Sequence, residues 1–169
     1  MANSAMSSLQ IRLATHSDLA RILQIEREAP TSAHWTEVDY ENVFVSTSPQ
    51  RVFLAAENIG GVEGFLVARC AHPSEWEIEN VVVAATARRL GLGAALLKSF
   101  LERVHSKNPL IGEALVIHLE VRESNHAARG LYEKSGFTVD KRRRAYYRHP
   151  DEDAICYHLI FQQHKSNLS

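Results

Sequence analysis

Two glycines one residue apart behind a pair of arginines, Arg88-Arg89-Leu90-Gly91-Leu92-Gly93, are the first residues whose types and spacing suggest chemistry. Glycine lets the backbone approach an anion closely. Amide N–H groups at the start of a helix can then converge on phosphate oxygens, with the positive end of the helix dipole behind them. The segment follows a strand-like run ending at Val83 and opens a helical spacing of Leu90, Ala94, Leu97, Leu101 and Val104, which is the setting such a cradle needs. The candidate anion-binding residues are therefore Arg88, Arg89, Leu90, Gly91, Leu92, Gly93 and Ala94. The plainer reading of a bare Gly-x-Gly is a strand-to-helix turn with glycine for packing. No Lys-Ser or Lys-Thr follows the glycines, and the third glycine of a dinucleotide fingerprint is missing, so neither NTP nor NAD is favoured.

A second group lies further on. Asn125, Ala128, Tyr132 and Ser135 recur at intervals of three and four, so they share a helical face, and Glu120 stands near the end of the preceding strand-like run. Together Glu120 can accept a proton and Tyr132 can donate one. Each has a plainer alternative. Glu120 is either a solvated carboxylate or a partner of Arg122, Tyr132 a core aromatic, and Asn125 a helix cap behind Ser124. Cys70 and Cys156 sit in apolar, strand-like contexts with no Cys-x-x-Cys or Cys/His ligand spacing, which reads as core thiols in a reducing compartment and no metal site. Neither lies in a motif or has a base nearby in sequence, so a covalent acyl-enzyme is disfavoured.

The elements that must position these residues follow from periodicity. Strands are expected at 9–13, 51–57, 62–71, 76–83, 114–121, 137–146 and 154–161, and helices at 18–29, 36–47, from Thr86 to the break at Lys107-Asn108-Pro109, and at 125–135. Thr15 or Ser17 caps the first helix, Ile59-Gly60-Gly61 turns one strand into the next, and Gly136 suits a left-handed residue after the last helix. The order β-α-α-β-β-β-α-β-α-β-β describes an α/β sandwich with a mixed, mostly antiparallel sheet of about seven strands and about four helices.

At 169 residues the chain is expected to form one domain over 9–162, with a flexible N-terminal tail at 1–8 and a C-terminal tail at 163–169. Nineteen Lys and Arg against twenty Asp and Glu leave a net charge of −1, which gives the whole molecule no electrostatic reason to seek nucleic acid or anionic membrane. No apolar run is long enough for a span, and residues 1–8 lack the basic and apolar regions of a signal peptide, so a soluble, cytoplasmic protein is expected. The run Lys141-Arg142-Arg143-Arg144 reads as a solvated strand, or as an attractor of an acidic partner or RNA.

Arg88-x-x-Gly91-x-Gly93 resembles the Arg/Gln-x-x-Gly-x-Gly/Ala signature of GNAT acetyltransferases, and the block from Leu119-Glu120-Val121-Arg122 through Asn125, Leu131-Tyr132-Glu133 and Gly136-Phe137 is similar to RimI-like ribosomal-protein-alanine N-acetyltransferases. Looser similarity runs from about Ile11 to Phe161. The resemblance implies a GNAT fold, acetyl-CoA as donor, and direct transfer to the α-amino group of a protein N-terminus, with an Ala-starting ribosomal protein S18 as the usual acceptor. It implies that the loop amides hold the CoA pyrophosphate, that the backbone of Val82 and Val83 pairs with pantetheine and polarises the thioester carbonyl, and that Asn125 contacts the pantetheine arm. Glu120 would be the general base and Tyr132 the general acid. Residues 28–35 and 144–149 correspond to the loops flanking the acceptor, which nominates Trp35, Tyr146 and Tyr147 as substrate-binding residues. A monomer or weak dimer is expected. The alternatives are a GNAT enzyme acting on a small-molecule amine and a non-catalytic acyl-CoA-binding regulator.

Overall fold

A computed structural model describes residues 9–107 and 113–162. The two expected tails and the helix break at Asn108-Pro109 lie outside the described residues. Among the described residues, seven strands and four helices follow in the order β1 (Gln10–Leu13), α1 (Leu19–Glu28), α2 (Glu37–Val45), β2 (Arg51–Asn58), β3 (Gly61–His72), β4 (Glu75–Val83), α3 (Leu92–Ser106), β5 (Leu115–Arg122), α4 (His126–Lys134), β6 (Thr138–Tyr147) and β7 (Glu152–Phe161), with short 3₁₀ turns at His16–Asp18 and Ala85–Ala87. The strands form one sheet in the order β1-β2-β3-β4-β5-β7-β6. The β4–β5 pair is parallel, whereas β1–β2, β5–β7 and β6–β7 are antiparallel. The expected mixed α/β sheet is what forms.

Helix α3 departs most from expectation. It begins at Leu92, not Thr86, because Arg89 at φ 65° and Gly91 at φ 79° occupy left-handed backbone that no α-helix admits. Leu90 is therefore not on the apolar helical face and stands 66% exposed. Thr36 fixes the start of α2 as its cap, the Thr36 N–H and hydroxyl both donating to Asp39 Oδ2, at 2.7 and 2.6 Å, and the helix ends at Val45, two residues short of its pattern. Thr15 does the same for the turn before α1, its N–H donating to Asp18 Oδ2 at 2.8 Å.

The described residues pack as two compact units, 9–68 with 79–101, and 69–78 with 102–107 and 113–162. In the first, Ile22 and Ile25 of α1, Tyr40 of α2, Leu54, Phe65 and Leu66 of the strands, and Leu96, Leu97 and Phe100 of α3 are fully buried. Tyr40 stacks on Phe53 at 5.8 Å and meets Phe65 edge-on at 5.7 Å. Glu79 of β4 accepts from Arg51 Nε at 3.0 Å. In the second unit, Leu115, Ile117, Leu119 and Val121 of β5 are buried by strict alternation. The period of two puts His118 and Glu120 on the opposite face of β5.

Candidate active site

In the first unit, Val82 is buried near the end of β4 and Val83 is half-buried, and the 3₁₀ turn leads from them to the glycine loop. Arg88 and Arg89 are exposed. The first intrahelical bond of α3 closes from Ala95 N–H to Gly91 O at 3.0 Å. Helix geometry then leaves the amides of Leu92, Gly93 and Ala94 without a backbone acceptor one turn back, facing out of the N-terminus of a 15-residue helix. Trp35 sits before α2, its ring 5.2 Å from Tyr40 and its N–H donating to Glu26 Oε1 at 2.8 Å.

In the second unit, Glu120 lies on β5 opposite Cys156 of β7. Its carboxylate is not joined to Arg122, as one sequence alternative had it. Arg143 donates to Glu120 Oε1 at 2.6 Å, and the same guanidinium lies over the Tyr146 ring, 4.1 Å from its centroid. The cause is a bulge in β6. Between the pairs Arg143↔Ala154 and Tyr147↔Glu152, β6 has three residues where β7 has one, and Ala145 adopts φ 49° with its N–H donating to Asp153 Oδ1 at 2.8 Å. Tyr146 is thereby brought near Glu120, whose carboxylate raises the phenol's pKa. Tyr147 packs edge-on against Tyr146 at 5.1 Å, and burial pushes its pKa up to about 12.

Arg122 anchors this same β6–β7 loop. Only 6% exposed, it donates to the carbonyls of Pro150 and Arg148 and to Glu152 at 3.3 to 3.4 Å, with its guanidinium 4.4 Å from the Tyr147 ring centroid. Tyr132 is buried in α4 between Phe137 and Tyr157, at 5.9 and 6.2 Å. Burial, then Tyr147, raises its phenol well above the ordinary range, so the proton stays on oxygen at neutral pH. Asn125 caps α4, its side chain accepting from Ala128 N–H at 3.2 Å, which is the helix-start role open to it in the sequence. Cys156 has no base nearby in sequence, but the fold brings one beside it: Sγ is 3.7 Å from Glu120 Oε1, 36 residues away. Burial and the neighbouring carboxylate raise its pKa, which keeps it a thiol and a poor nucleophile.

Residues 17–137 match the acetyltransferase (GNAT) family. The chain belongs to that family. A [ribosomal protein bS18]-alanine N-acetyltransferase from Escherichia coli K12 is 32% identical over 143 residues, covering 82% of this chain and 88% of that protein. An N-alpha-acetyltransferase from Sulfurisphaera tokodaii is 29% identical over 155 residues, with 82% and 85% covered. Among solved structures, the E. coli ribosomal-protein-S18-alanine N-acetyltransferase superposes with a TM-score of 0.78 at 28% identity, over 95% of this chain and 99% of that one. This GNAT protein is accordingly an N-acetyltransferase with RimI-like and N-alpha-acetyltransferase relatives. Among its described residues no group of three His, Cys, Asp or Glu is placed to hold a metal ion, and no helix is long and apolar enough to cross a membrane.

Sequence reasoning missed the partners of the nominated residues. Arg143 was visible only as part of a basic run, yet Arg142 pairs with Glu123 and Asp153 and Arg143 with Glu120, so half of that run is neutralised by neighbouring carboxylates. Cross-strand register decides these pairs, and no local signal carries it.

Proposed function

We propose that this protein transfers acetyl from acetyl-CoA to the α-amino group of a protein N-terminus, an Ala-starting acceptor of the ribosomal protein S18 type, by direct attack in a ternary complex in the cytoplasm. The observation that carries this reading is the group assembled on the open face of β5: a carboxylate at Glu120, a cation at Arg143 that aims it, and the Tyr146 phenol.

The residues fit the donor. Exposed cations at Arg88 and Arg89 and the outward amides of Leu92, Gly93 and Ala94 suit a pyrophosphate, with Leu90 and Gly91 shaping the loop. Val82 and Val83 would supply backbone groups to pantetheine and the thioester carbonyl, and Asn125 would contact the arm. An α-ammonium with a pKa near about 8 must lose a proton before it can attack. Glu120 takes that proton, directly or through a water. The amine nitrogen forms a C–N bond to the acetyl carbonyl carbon, the C–S bond breaks, the departing thiolate sulfur takes a proton from Tyr132, and the second proton the nitrogen sheds on becoming an amide restores the phenol. Trp35, Tyr146 and Tyr147 line the acceptor side.

Acetyl transfer to an Ala-starting peptide and to a panel of amino sugars, polyamines and amino acids tests the assignment. Turnover on the peptide and not on the panel is the expected result. Turnover only on small amines would overturn the acceptor, and acetyl-CoA binding without any turnover would overturn the enzyme reading in favour of a regulator.

A further inference from the structure

Glu26 is 2% exposed in the last turn of α1, and three neutral donors converge on its carboxylate. Oε1 accepts from the backbone N–H of Trp35 at 2.8 Å, and Oε2 accepts from the Tyr40 hydroxyl and from Asn80 Nδ2, both at 3.0 Å. Asn80 Nδ2 also donates to the Tyr40 hydroxyl at 3.0 Å, and Asn80 Oδ1 accepts from the Ala33 N–H at 3.5 Å. Two amides of the loop between α1 and α2 thus end on two buried side chains. Between them His34 is held at φ 55°, and the buried Ser32 hydroxyl donates to the carbonyls of Ala29 and Glu26.

A carboxylate in the last turn of a helix opposes the helix dipole, and burying it without a cation is costly. Burial, followed by the charge of Glu26, holds the Tyr40 phenol well above its ordinary range, so it remains a donor to Glu26. What the arrangement secures is the conformation of the segment from Pro30 to Trp35.

We propose that Glu26 is a positioning residue for acceptor specificity: with Asn80 and Tyr40 it fixes the α1–α2 loop in the one conformation that presents Trp35 to the acceptor. This rests on reading that loop as a wall of the acceptor site. Glu26→Gln is isosteric, yet whichever way the amide turns it sets an N–H against either the Trp35 N–H or the Asn80 amide.

The test is steady-state kinetics of the full chain with an Ala-starting peptide. Glu26→Gln is expected to raise the peptide KM about tenfold while kcat and the acetyl-CoA KM stay within about twofold. Tyr40→Phe removes one of the three donors to Glu26, together with an acceptor of Asn80 Nδ2, and is expected to shift the peptide KM about threefold in the same direction, which covers the case of Glu26→Gln failing to fold. An unchanged peptide KM in folded protein, or peptide and acetyl-CoA KM rising in parallel, overturns the proposal. Acrylamide quenching of Trp35 in a Trp76→Phe background separates this from the acceptor assignment. Faster quenching in Glu26→Gln supports the clamp even where the wild type acetylates no peptide, and unchanged quenching sinks it.

Discussion

Replacing glycine by alanine at Gly91 and at Gly130 should move stability in opposite directions, because the two positions differ only in backbone conformation. A Cβ at either meets no heavy atom within 4 Å, so sterics contribute nothing at either site. Gly91 sits at φ 79°, where an L-residue costs roughly 1 to 2 kcal/mol. Gly130 lies inside α4 with no positive φ, where alanine is favoured over glycine by about 0.5 to 1 kcal/mol. At roughly 2 to 4 °C per kcal/mol for a chain of this size, Gly91→Ala should lower the Tm by about 2 to 8 °C and Gly130→Ala should raise it by about 1 to 4 °C. Relaxation of φ at Gly91 also turns the amides of the cradle, so the acetyl-CoA Kd should weaken by roughly fivefold in Gly91→Ala and stay within about twofold in Gly130→Ala. Thermal unfolding and calorimetric titration read both quantities. Shifts of the same sign, or an acetyl-CoA Kd unchanged in Gly91→Ala, would refute the reasoning that this glycine exists for the loop's left-handed turn.

Three further outcomes are expected. Arg143→Gln removes the guanidinium 2.6 Å from Glu120 on a half-exposed strand, so kcat/KM should fall about tenfold with little change in Tm; equal losses in both would make Arg143 a structural residue. Arg122→Met leaves Glu152 and two loop carbonyls without their buried donor, and urea unfolding should show a loss of about 3 kcal/mol, with a result below about 1 kcal/mol contradicting the anchor. Asp18 is held down to about 2, first by its hydrogen bond from Arg12, so its folded pKa lies below the unfolded one. The stabilisation is present above about pH 4 and is lost as pH falls toward 2, and it amounts to about 1 to 2 kcal/mol after allowance for the partly exposed Arg12. Asp18→Asn should therefore flatten the acid limb of stability against pH, and an unaltered limb would refute the assignment.

The fold was legible where one period dominates. The alternation of Leu115, Ile117, Leu119 and Val121 marks one buried face, the spacing of Leu19, Ile22, Leu23 and Ile25 marks another in which Leu23 is half-buried, and these elements form where expected. The start of α3 was not legible, because Leu90 continues a helical spacing that only the left-handed φ of Arg89 and Gly91 interrupts. Glu120 and Tyr132 stood out by their motif. Their surroundings did not: Arg143 reaches Glu120 through a bulge 23 residues along the chain, and Glu26, in a helix read for its apolar face, is buried by donors 9, 14 and 54 residues away. Such contacts depend on register and crossing geometry, which composition and periodicity do not encode.

The central claim is that Glu120 deprotonates an α-amine, and the most direct measurement compares wild type with Glu120→Gln on an Ala-starting peptide and on the same peptide with its N-terminus blocked and a lysine retained. Turnover of the free N-terminus alone is expected, falling about 10² to 10⁴-fold in Glu120→Gln while acetyl-CoA affinity is retained. Acetylation of the blocked peptide, or a Glu120→Gln rate within a few-fold of wild type, would contradict it.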